Sequence, residues 1–279
     1  MESGLDFDVS VLTPCRNNPA ALAESLASIA AQVTEAEAWN EVIVIDGSDG
    51  PDCREQAERM AAALAERRWR LQWLAREARG IYDALNTGLE CSKGRWIQIM
   101  PASDRYWDPH SLQRLVRHAR RLGQHREGAP AAVFGQAWVE VPGRRLGWLT
   151  PDPRVGAIET WLRWMVPCHQ AMLFDGAWAR AHPYPDGSPV YGDRPVMRAA
   201  LAGNGRQAYL AAPVCIFRLG GLSSGLPEGR ALQQRLSDPC LDGAARRRER
   251  IKAMLGRVAP AGMYPHLMRL RAAWLGWRC

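Results

Sequence analysis

Apolar and polar positions follow two different patterns along the chain, and segments with one pattern alternate with segments with the other up to Leu122. Short apolar runs predict strands, and apolar residues that recur every three or four positions predict helices. The expected strands are at residues 9–13, 41–45, 71–74 and 96–100, and the expected helices begin at about residues 19, 52, 80 and 108. This order is typical of a parallel sheet with helices on both faces.

The pattern changes after Leu122. A hairpin is expected around the sequence Pro-Gly-Arg-Arg, followed by a short helix that carries two tryptophans, another strand and a basic helical end. These elements fall at residues 131–141 with 146–150, around Trp161 and Trp164, at 166–174 and from 228 onward. We therefore expect an α/β fold followed by a helical extension.

The composition is that of a globular protein large enough for one α/β domain or two smaller ones. The chain has 279 residues, of which 47% are hydrophobic and 23% are charged. No apolar stretch approaches the roughly 18–20 residues that a membrane span needs, and the N-terminus lacks a basic stretch followed by an apolar one. The seven cysteines stand singly with no C-x-x-C pair, which argues against a zinc site. Reduced thiols and a cytoplasmic location are therefore expected.

The positive charge is concentrated at the end of the chain. From Leu226 onward there are 11 lysines and arginines against 4 acidic residues, which accounts for the whole formal net charge of +7. The preceding residues carry 25 charges of each sign. A segregated basic tail differs from the broadly basic surface of a nucleic-acid-binding protein, so we expect no nucleic acid partner.

Polar side chains follow three of the expected strands, at the point where each strand ends. They are Thr13-Pro14 with Asn17, Asp46-Gly47-Ser48, and Ser103-Asp104. Ligands of open parallel sheets bind beyond the carboxyl ends of the strands, so these groups should line one site. Arg79 and Asp83, at the start of the third helix, should lie on the same side.

The two strand-end aspartates suit different tasks. Asp46 could accept hydrogen bonds from a base or a ribose, whereas Asp104 could hold Mg²⁺ or Mn²⁺, which prefer oxygen ligands. Alternatively, both are turn residues, because Asp favours turns through hydrogen bonds to nearby backbone. The sequence contains neither G-x-G-x-x-G nor G-x-x-x-x-G-K-[ST], which excludes the usual dinucleotide motif and a P-loop.

Three stretches resemble the nucleotide-binding half of family 2 glycosyltransferases with the GT-A fold. They are VSVLTPCRNN, VIVIDGSDG and RGIYDALNTGLECSKGRWIQIMPASD. The third is similar to the signature R-G-I-Y-D-A-M-N-K-G-I…G-x-W-I-x-x-L-N-x-G-D of bacterial enzymes that build capsular, exopolysaccharide and lipopolysaccharide sugars. The resemblance implies a GT-A-like, mostly parallel sheet flanked by helices. It also implies a nucleotide-sugar-binding half at 1–105, an acceptor-binding half at 106–225 and a basic helical C-terminal extension at 226–279.

The resemblance implies roles for the strand-end residues as well. The nucleotide-sugar would be bound by Thr13, Pro14, Asn17, Asp46, Gly47, Ser48, Arg79, Asp83 and Arg218. Asp104 stands where the family's D-x-D motif ends, and would bind a metal that bridges the diphosphate. The first Asp of that motif is replaced by Ala102, which leaves fewer protein ligands for the ion.

Two segments of the second half resemble further parts of the family. VPCHQAMLF is similar to a strand whose His169 and Gln170 would face the acceptor or the donor sugar, although a lone histidine in an apolar strand can equally be a core residue. PVYGDRPVMRAAL is similar to the segment that supplies the catalytic base, for which we choose Asp193. The alternative role for Asp193 is an ordinary helix N-cap. In FRLGGLSSG, Arg218 and the backbone N–H groups could meet the diphosphate.

The implied activity is that of an inverting hexosyltransferase. It would move a sugar from a nucleotide-sugar, with a UDP-sugar favoured, to a glycan or lipid-linked acceptor in cell-surface polysaccharide biosynthesis. Mn²⁺ or Mg²⁺ would be the cofactor. The reduced D-x-D motif supports a competing hypothesis, a non-catalytic nucleotide-sugar-binding or scaffold protein. A nucleotidyltransferase is a weaker alternative, since no Gly-rich phosphate loop with a basic residue occurs near the N-terminus.

The last residues predict an amphipathic helix. Its apolar face would carry Leu267, Leu270, Trp274 and Trp277, and its other faces would carry Arg269, Arg271 and Arg278. Such a helix suits the surface of an anionic membrane, which would make the protein peripheral on the inner face of the cell membrane. A helix docked on the protein core, with its arginines in solvent, is the alternative.

Overall fold

A computed structural model describes most of the chain up to residue 219. The described residues are 7–35, 38–77, 79–123, 130–140, 147–152, 157–187, 191–203 and 205–219, together with 233, 236, 243, 246, 247, 250, 251 and 254. The amphipathic helix expected at 267–278 and most of the basic extension lie outside these residues. None of the described helices is both long enough and apolar enough to cross a membrane.

One sheet of nine strands runs through the described part of the chain. The strands are β1 (Phe7–Cys15), β2 (Trp39–Asp46), β3 (Trp69–Ala75), β4 (Trp96–Ile99), β5 (Arg105–Tyr106), β6 (Ala132–Glu140), β7 (Gly147–Thr150), β8 (Met172–Asp175) and β9 (Tyr209–Arg218). Their order is β3-β2-β1-β4-β8-β6-β9-β5, and β7 pairs with β6. The first four strands in this order are parallel to one another, which confirms the expectation for the first half of the chain.

The second half of the chain completes the sheet with mixed strand directions. Strand β8 runs antiparallel to both β4 and β6, and β9 runs parallel to β6. Strands β6 and β7 form the expected hairpin. The α/β class is confirmed, and β8 joins the two halves into one sheet through backbone hydrogen bonds.

Eight α-helices are described, and they cover both faces of the sheet. They are α1 (Pro19–Ala30), α2 (Asp52–Glu66), α3 (Ile81–Cys91), α4 (Ser111–Gly123), α5 (Ile158–Trp164), α6 (Gly176–Ala181), α7 (Asp193–Ala200) and α8 (Gly205–Ala208). Successive strand residues point to opposite faces. Val11 of β1 therefore packs in the core that includes Leu22 of α1, and Leu12 packs in the core that includes Leu85 of α3.

Two expectations about element boundaries need correction. The strand expected over 166–174 is short, because His169–Ala171 form a 3-10 turn and β8 begins only at Met172. The helix expected from Asp108 begins at Ser111, since the carboxylate of Asp108 accepts the backbone N–H of His110 in a turn (2.8 Å). Asn18 does cap α1, with its side-chain oxygen accepting the N–H of Ala21 (3.0 Å).

A buried polar network fixes the amino end of the parallel strands. The hydroxyl of Ser10 donates to Glu41 (2.5 Å), and the backbone N–H of Lys93 donates to the same carboxylate oxygen (2.6 Å). The N–H of Gly94 donates to the Ser10 hydroxyl (2.7 Å). Because unpaired buried polar groups are costly, this network holds the turn before β4 against β1 and β2.

We expect Gly94→Ala to destabilise the fold by about 1–3 kcal/mol, the usual cost of overpacking. A Cβ at Gly94 would overlap the backbone nitrogen of Ser10 and would lie 2.8 Å from the carbonyl oxygen of Trp96. Both atoms belong to β-strand backbone and cannot move aside as a side chain can. Urea unfolding would measure the change.

Gly50→Ala is the matched control, because a Cβ at Gly50 would meet no atom within 4 Å. Its free energy of unfolding should stay close to that of the wild type. Equal stability of the two variants would contradict the close approach of the Gly94 turn to β1.

Candidate active site

The carboxyl ends of β1, β2 and β4 meet at one edge of the sheet, as the sequence predicted. Cys15 at the end of β1 pairs with Asp46 at the end of β2. The N–H of Gly47 donates to the carbonyl of Cys15 (3.0 Å), and the N–H of Ala102 donates to the carbonyl of Pro14 (3.1 Å). The loops after the three strands are therefore tied to one another by backbone hydrogen bonds.

Asp46 is a buried carboxylate at this edge. Its Oδ1 accepts the backbone N–H of Ser48 (3.0 Å) and the thiol of Cys15 (3.3 Å). The hydrogen bond to Ser48 is the local turn contact that the alternative interpretation predicted, so Asp46 shapes its own loop. Among the described residues, Oδ2 accepts no hydrogen bond from a side chain or backbone group. Asp46 therefore retains an oxygen that a ligand could use.

Asn17 and Ser48 join the loops that follow β1 and β2. The N–H of Asn17 donates to the hydroxyl of Ser48 (2.7 Å), and the side chain of Asn17 exchanges two hydrogen bonds with Asp49 (2.7 and 3.0 Å). Asn17 has a φ of 51°, a left-handed conformation in which Asn is more favourable than most residues. The side-chain amide of Asn17 thus holds the loops together.

The hydroxyl of Thr13 is buried and has no hydrogen-bond partner among the described residues. Arg79 and Asp83, in contrast, are exposed, and the guanidinium of Arg79 pairs with Glu77 (3.1 Å). The structure therefore brings Thr13, Pro14, Asn17 and the 46–48 loop together. It does not bring the side chain of Arg79 into contact with them. The binding roles of all these residues stay predictions.

Asp104 joins three segments that are far apart in the sequence. Its Oδ2 accepts a hydrogen bond from the side-chain amide of Gln170 (2.7 Å), and its Oδ1 accepts the backbone N–H of Arg218 (3.0 Å). Asp104 itself follows β4, Gln170 lies in the 3-10 turn before β8, and Arg218 ends β9. The guanidinium of Arg218 pairs with Glu24 (2.8 Å) and Glu140 (3.4 Å).

Burial changes the acidity of Asp104. Only 4% of the residue is exposed, and loss of hydration raises the pKa of its carboxyl from 3.8 to about 7. The hydrogen bonds from Arg218 and Gln170 and the positive charges of Arg218 and Arg105 act in the opposite direction, but they do not cancel the effect of burial. Asp104 is therefore poised to lose a proton near neutral pH.

The donor chemistry of Asp104 fits a hard divalent cation. A carboxylate has about four acceptor positions, so each oxygen retains one beside the hydrogen bond that it already accepts. Mg²⁺ and similar ions bind through one or two carboxylates and complete their shell with water and substrate phosphates. Among the described residues, Asp104 belongs to no group of three or more potential metal ligands, so water and substrate would have to supply most of the shell.

A second cluster surrounds Asp193, the first residue of α7. The hydroxyl of Tyr82 donates to Oδ1 of Asp193 (3.3 Å), and Nδ1 of His169 lies 3.8 Å from Oδ2. The Asp193 side chain remains 23% exposed, and the N-cap position of α7 is occupied by Gly192, which argues against the N-cap alternative for Asp193. A carboxylate held in this way can accept a proton from a ligand.

His169 links this cluster to the sheet. Its Nε2 lies 2.8 Å from the hydroxyl of Tyr184, whose ring stacks on Tyr82 at a centroid distance of 5.6 Å. Burial lowers the pKa of His169, although the charge of Asp193 opposes this effect. A neutral imidazole with its proton on Nδ1 would accept the hydroxyl proton of Tyr184 and face Asp193 with an N–H.

Sequence reasoning missed four polar residues that support these clusters. Tyr82 lies within the quoted stretch RGIYDALN and could have been singled out there, but no signal marked Tyr184. Gln98 donates to the carbonyl of Gln170 (2.9 Å) and accepts the hydroxyl of Tyr106 (2.8 Å). Gln98 and Tyr106 look like ordinary strand residues in the sequence, because only the fold brings them beside Gln170.

A mixed sheet with acidic groups along the carboxyl edge of its parallel strands is the architecture of the GT-A class of glycosyltransferases. The family described as "Glycosyl transferase family 2" matches residues 10–174, which is more than half of the chain. The protein therefore belongs to glycosyl transferase family 2. Asp193 and Arg218 lie beyond the matched residues.

Curated relatives match a shorter region. The chain is 29% identical over 117 residues to a PGL/p-HBAD biosynthesis glycosyltransferase of Mycobacterium bovis, and equally similar to its counterpart in Mycobacterium tuberculosis. The match covers 42% of this chain and 42% of the length of these relatives.

Solved structures extend the likeness in fold to almost the whole chain. Staphylococcus aureus TarS 1-349 in complex with UDP-GlcNAc has a TM-score of 0.61 at 13% identity, covering 87% of this chain and 70% of that one. A mannosyltransferase of Pyrobaculum calidifontis in complex with GDP-Man and Mn²⁺ has a TM-score of 0.50 at 18% identity, covering 99% and 76%. At such identities the likeness shows the fold alone.

We expect Asp104→Asn to change how stability depends on pH. Because the pKa of Asp104 is about 7 in the folded protein against an ordinary value of 3.8, folding binds a proton between these values. The stability that Asp104 contributes is therefore fully present below pH 3.8 and is lost as the pH rises through about 7. Between about pH 4 and about pH 8, the free energy of unfolding of the neutral variant should rise by roughly 2–4 kcal/mol relative to that of the wild type.

Urea unfolding in EDTA at several pH values would measure this difference. Asp186→Asn, at an exposed position, is the control and should show no comparable trend. If the free energies of unfolding of Asp104→Asn and the wild type differed by the same amount at every pH, burial would not perturb the pKa of this carboxyl.

Proposed function

We propose that the protein is an inverting hexosyltransferase that uses a nucleotide-sugar donor. The observation that carries the proposal is the position of Asp193 and its partners. A partly exposed carboxylate, oriented by Tyr82 and His169, lies beside the turn that leads into β8, the strand paired with β4. Family membership and the acidic edge of the sheet support the same activity.

The donor would lie across the carboxyl edge of the parallel strands. The free Oδ2 of Asp46 and the unpaired hydroxyl of Thr13 are available, among the described residues, for the base and the ribose. Pro14, Gly47 and Ser48 would form the wall of this pocket, with Asn17 holding its loops together. We favour a UDP-sugar, and a UDP-GlcNAc complex of a protein with a similar fold is consistent with that choice.

The chemical step needs a base and a charge-stabilising environment. A hydroxyl oxygen of the acceptor would attack the anomeric carbon from the face opposite the diphosphate, so that the new glycosidic bond forms as the bond to the diphosphate oxygen breaks. Asp193 would accept the hydroxyl proton, and Tyr82 and His169 would keep its carboxylate in place. Attack from the opposite face inverts the anomeric centre.

The leaving diphosphate would lie near Asp104. Asp104 would hold Mn²⁺ or Mg²⁺ together with the phosphates and water. When bound, the ion would offset the charge that develops on the diphosphate. Arg218 would contribute positive charge at the same place, and Gln170 would keep the Asp104 carboxylate oriented.

The proposal for the acceptor and the pathway is based on the signature quoted above. We propose a glycan or lipid-linked acceptor in cell-surface polysaccharide biosynthesis, with residues 106–225 as the acceptor-binding half and 226–279 as a basic extension that can meet an anionic membrane. The mycobacterial relatives are named as glycosyltransferases of PGL/p-HBAD biosynthesis, which is consistent with a biosynthetic role.

A non-catalytic nucleotide-sugar-binding or scaffold protein is the second candidate. The observation that favours it is that both oxygens of Asp104 already accept hydrogen bonds within a nearly closed environment. A protein of this kind would bind a nucleotide-sugar without hydrolysing or transferring it. Metal-dependent hydrolysis of the donor distinguishes the two candidates.

We expect Asp193→Asn to lower kcat by about 10²–10⁴, the usual contribution of general-base catalysis. The affinity for the nucleotide should stay within a factor of about two, because none of the residues assigned to the base, the ribose or the diphosphate contacts Asp193. Donor turnover and nucleotide binding by calorimetry would be measured on the same samples. Asp186→Asn, an exposed substitution on the segment before α7, is the control. Normal turnover by Asp193→Asn would show that another group is the base.

We expect one nucleoside diphosphate to stabilise the protein, and more strongly with Mn²⁺ than without it. A ligand at about 100 times its dissociation constant stabilises by about 2.7 kcal/mol, which thermal unfolding detects. UDP, GDP, dTDP and CMP would be compared with and without the metal. Stabilisation that does not depend on the metal would contradict the proposed role of Asp104 as a metal ligand. No stabilisation by any nucleotide would contradict the donor class itself.

A further inference from the structure

Two cysteines and an aspartate lie together beneath the loop after β2. Cys15 ends β1, Asp46 ends β2, and Cys53 lies in the first turn of α2. All three are buried. One sulfur or oxygen atom from each lies within 4.8 Å of the others, and Sγ of Cys15 is 3.3 Å from Oδ1 of Asp46. Among the described residues, this is the one group of three or more potential metal ligands whose ligand atoms lie this close together.

The spacing of these atoms is close to that of tetrahedral zinc ligands. Zinc binds thiolate sulfur at about 2.3 Å and carboxylate oxygen at about 2.0–2.2 Å, so neighbouring ligand atoms lie about 3.5–3.8 Å apart. The Cys15–Asp46 separation of 3.3 Å is slightly shorter than these values, and neither of the other two separations exceeds 4.8 Å. Two sulfurs and one oxygen would leave a fourth position for water, as in zinc sites that are not fully closed.

The cysteine spacing in the sequence argued against a zinc site, but the fold brings distant residues together, and we propose that Cys15, Cys53 and Asp46 form a binding site for Zn²⁺ or a similar thiophilic dication. Thiolate ligands select zinc over Mg²⁺ and Mn²⁺, which prefer oxygen, so this site is chemically distinct from the one at Asp104. Binding forms two zinc–sulfur bonds and one zinc–oxygen bond, and it releases the two thiol protons to solvent.

In the metal-free protein the Cys15 thiol is protonated. Burial and the negative charge of Asp46 raise the pKa of Cys15 far above the ordinary value for a thiol. A dication at the centre of the cluster supplies the charge that makes two thiolates beside a carboxylate acceptable. The cluster would therefore be unreactive without metal, and its metal affinity would rise with pH as the thiol protons become easier to displace.

Occupancy of this site would interfere with the nucleotide, an inference that depends on the proposed function. Asp46 is the residue assigned to the base and ribose, and a carboxylate that ligates zinc is less available to them. The Cys15–Asp46 pair also sets the position of the Ser48 turn through Oδ1 of Asp46. Zinc and UDP should therefore weaken each other's binding, and by the same factor.

The test is a titration of the reduced full-length protein with Co²⁺, which replaces zinc and is visible by absorption. Thiolate–cobalt charge transfer should appear with one ion per chain and should vanish when Zn²⁺ displaces it. Cys15→Ser and Cys53→Ser should each weaken Co²⁺ binding by at least about tenfold. Cys91→Ser and Cys168→Ser are matched controls outside the cluster and should retain the signal.

The cobalt signal and the UDP affinities decide the proposal. Absence of the signal in the wild type, or its persistence in both Cys15→Ser and Cys53→Ser, would overturn the site. Cys15→Ala and Cys53→Ala, checked by circular dichroism, would confirm that a lost signal reflects a lost ligand in a folded protein. With the metal site established, UDP affinity measured in EDTA and with Zn²⁺ tests competition. Equal UDP affinities in EDTA and with Zn²⁺ would overturn the proposed competition. A lack of UDP binding in EDTA would contradict only the proposed donor and not the metal site.

Discussion

The hydrogen-bonded register between β1 and its two neighbours is the constraint on which the rest of the structure depends. It places Cys15 opposite Asp46 on one side and Leu12 opposite Ile99 on the other. A shift of one residue would turn every side chain of β1 to the other face, so that Val11 and Leu12 would each face the wrong core and Ser10 would lose its hydrogen bond to Glu41. The loops after these strands therefore meet in a single arrangement, and the candidate site is built on it.

The short antiparallel strand β8 brings residues of the second half of the chain to this edge. It pairs with β4, and the 3-10 turn before it places His169 and Gln170 on the side where the parallel strands end. Gln170 is then held at both its backbone and its side chain, by Gln98 and by Asp104. A buried chain of satisfied polar groups of this kind is rigid, because breaking any one contact leaves a partner unpaired.

Acidic groups outnumber basic ones along this edge. Asp104 and the backbone of Arg218 are in contact, and the Arg218 guanidinium is balanced by Glu24 and Glu140. The buried carboxylate has a pKa of about 7 before any ligand binds, so it carries only part of its charge at neutral pH. A cation would favour the ionised form. The same edge contains the Cys15–Cys53–Asp46 cluster, whose softer ligands would attract a different ion.

The sequence by itself determined the elements of the first half and the strand ends that carry Asp46 and Asp104. Both rest on local signals, namely buried β-branched runs such as 41–45 and the turn-forming residues that follow them. It also located Asp193 at the start of a helix, through resemblance to a known family. Only the tertiary structure decided that Gln170 and Arg218 meet Asp104, that Tyr82 and His169 hold Asp193, and that Cys15 and Cys53 lie side by side. Those contacts join residues separated by tens of positions. No local pattern records such contacts, because they arise from strand order and from the packing of helices on both faces of the sheet.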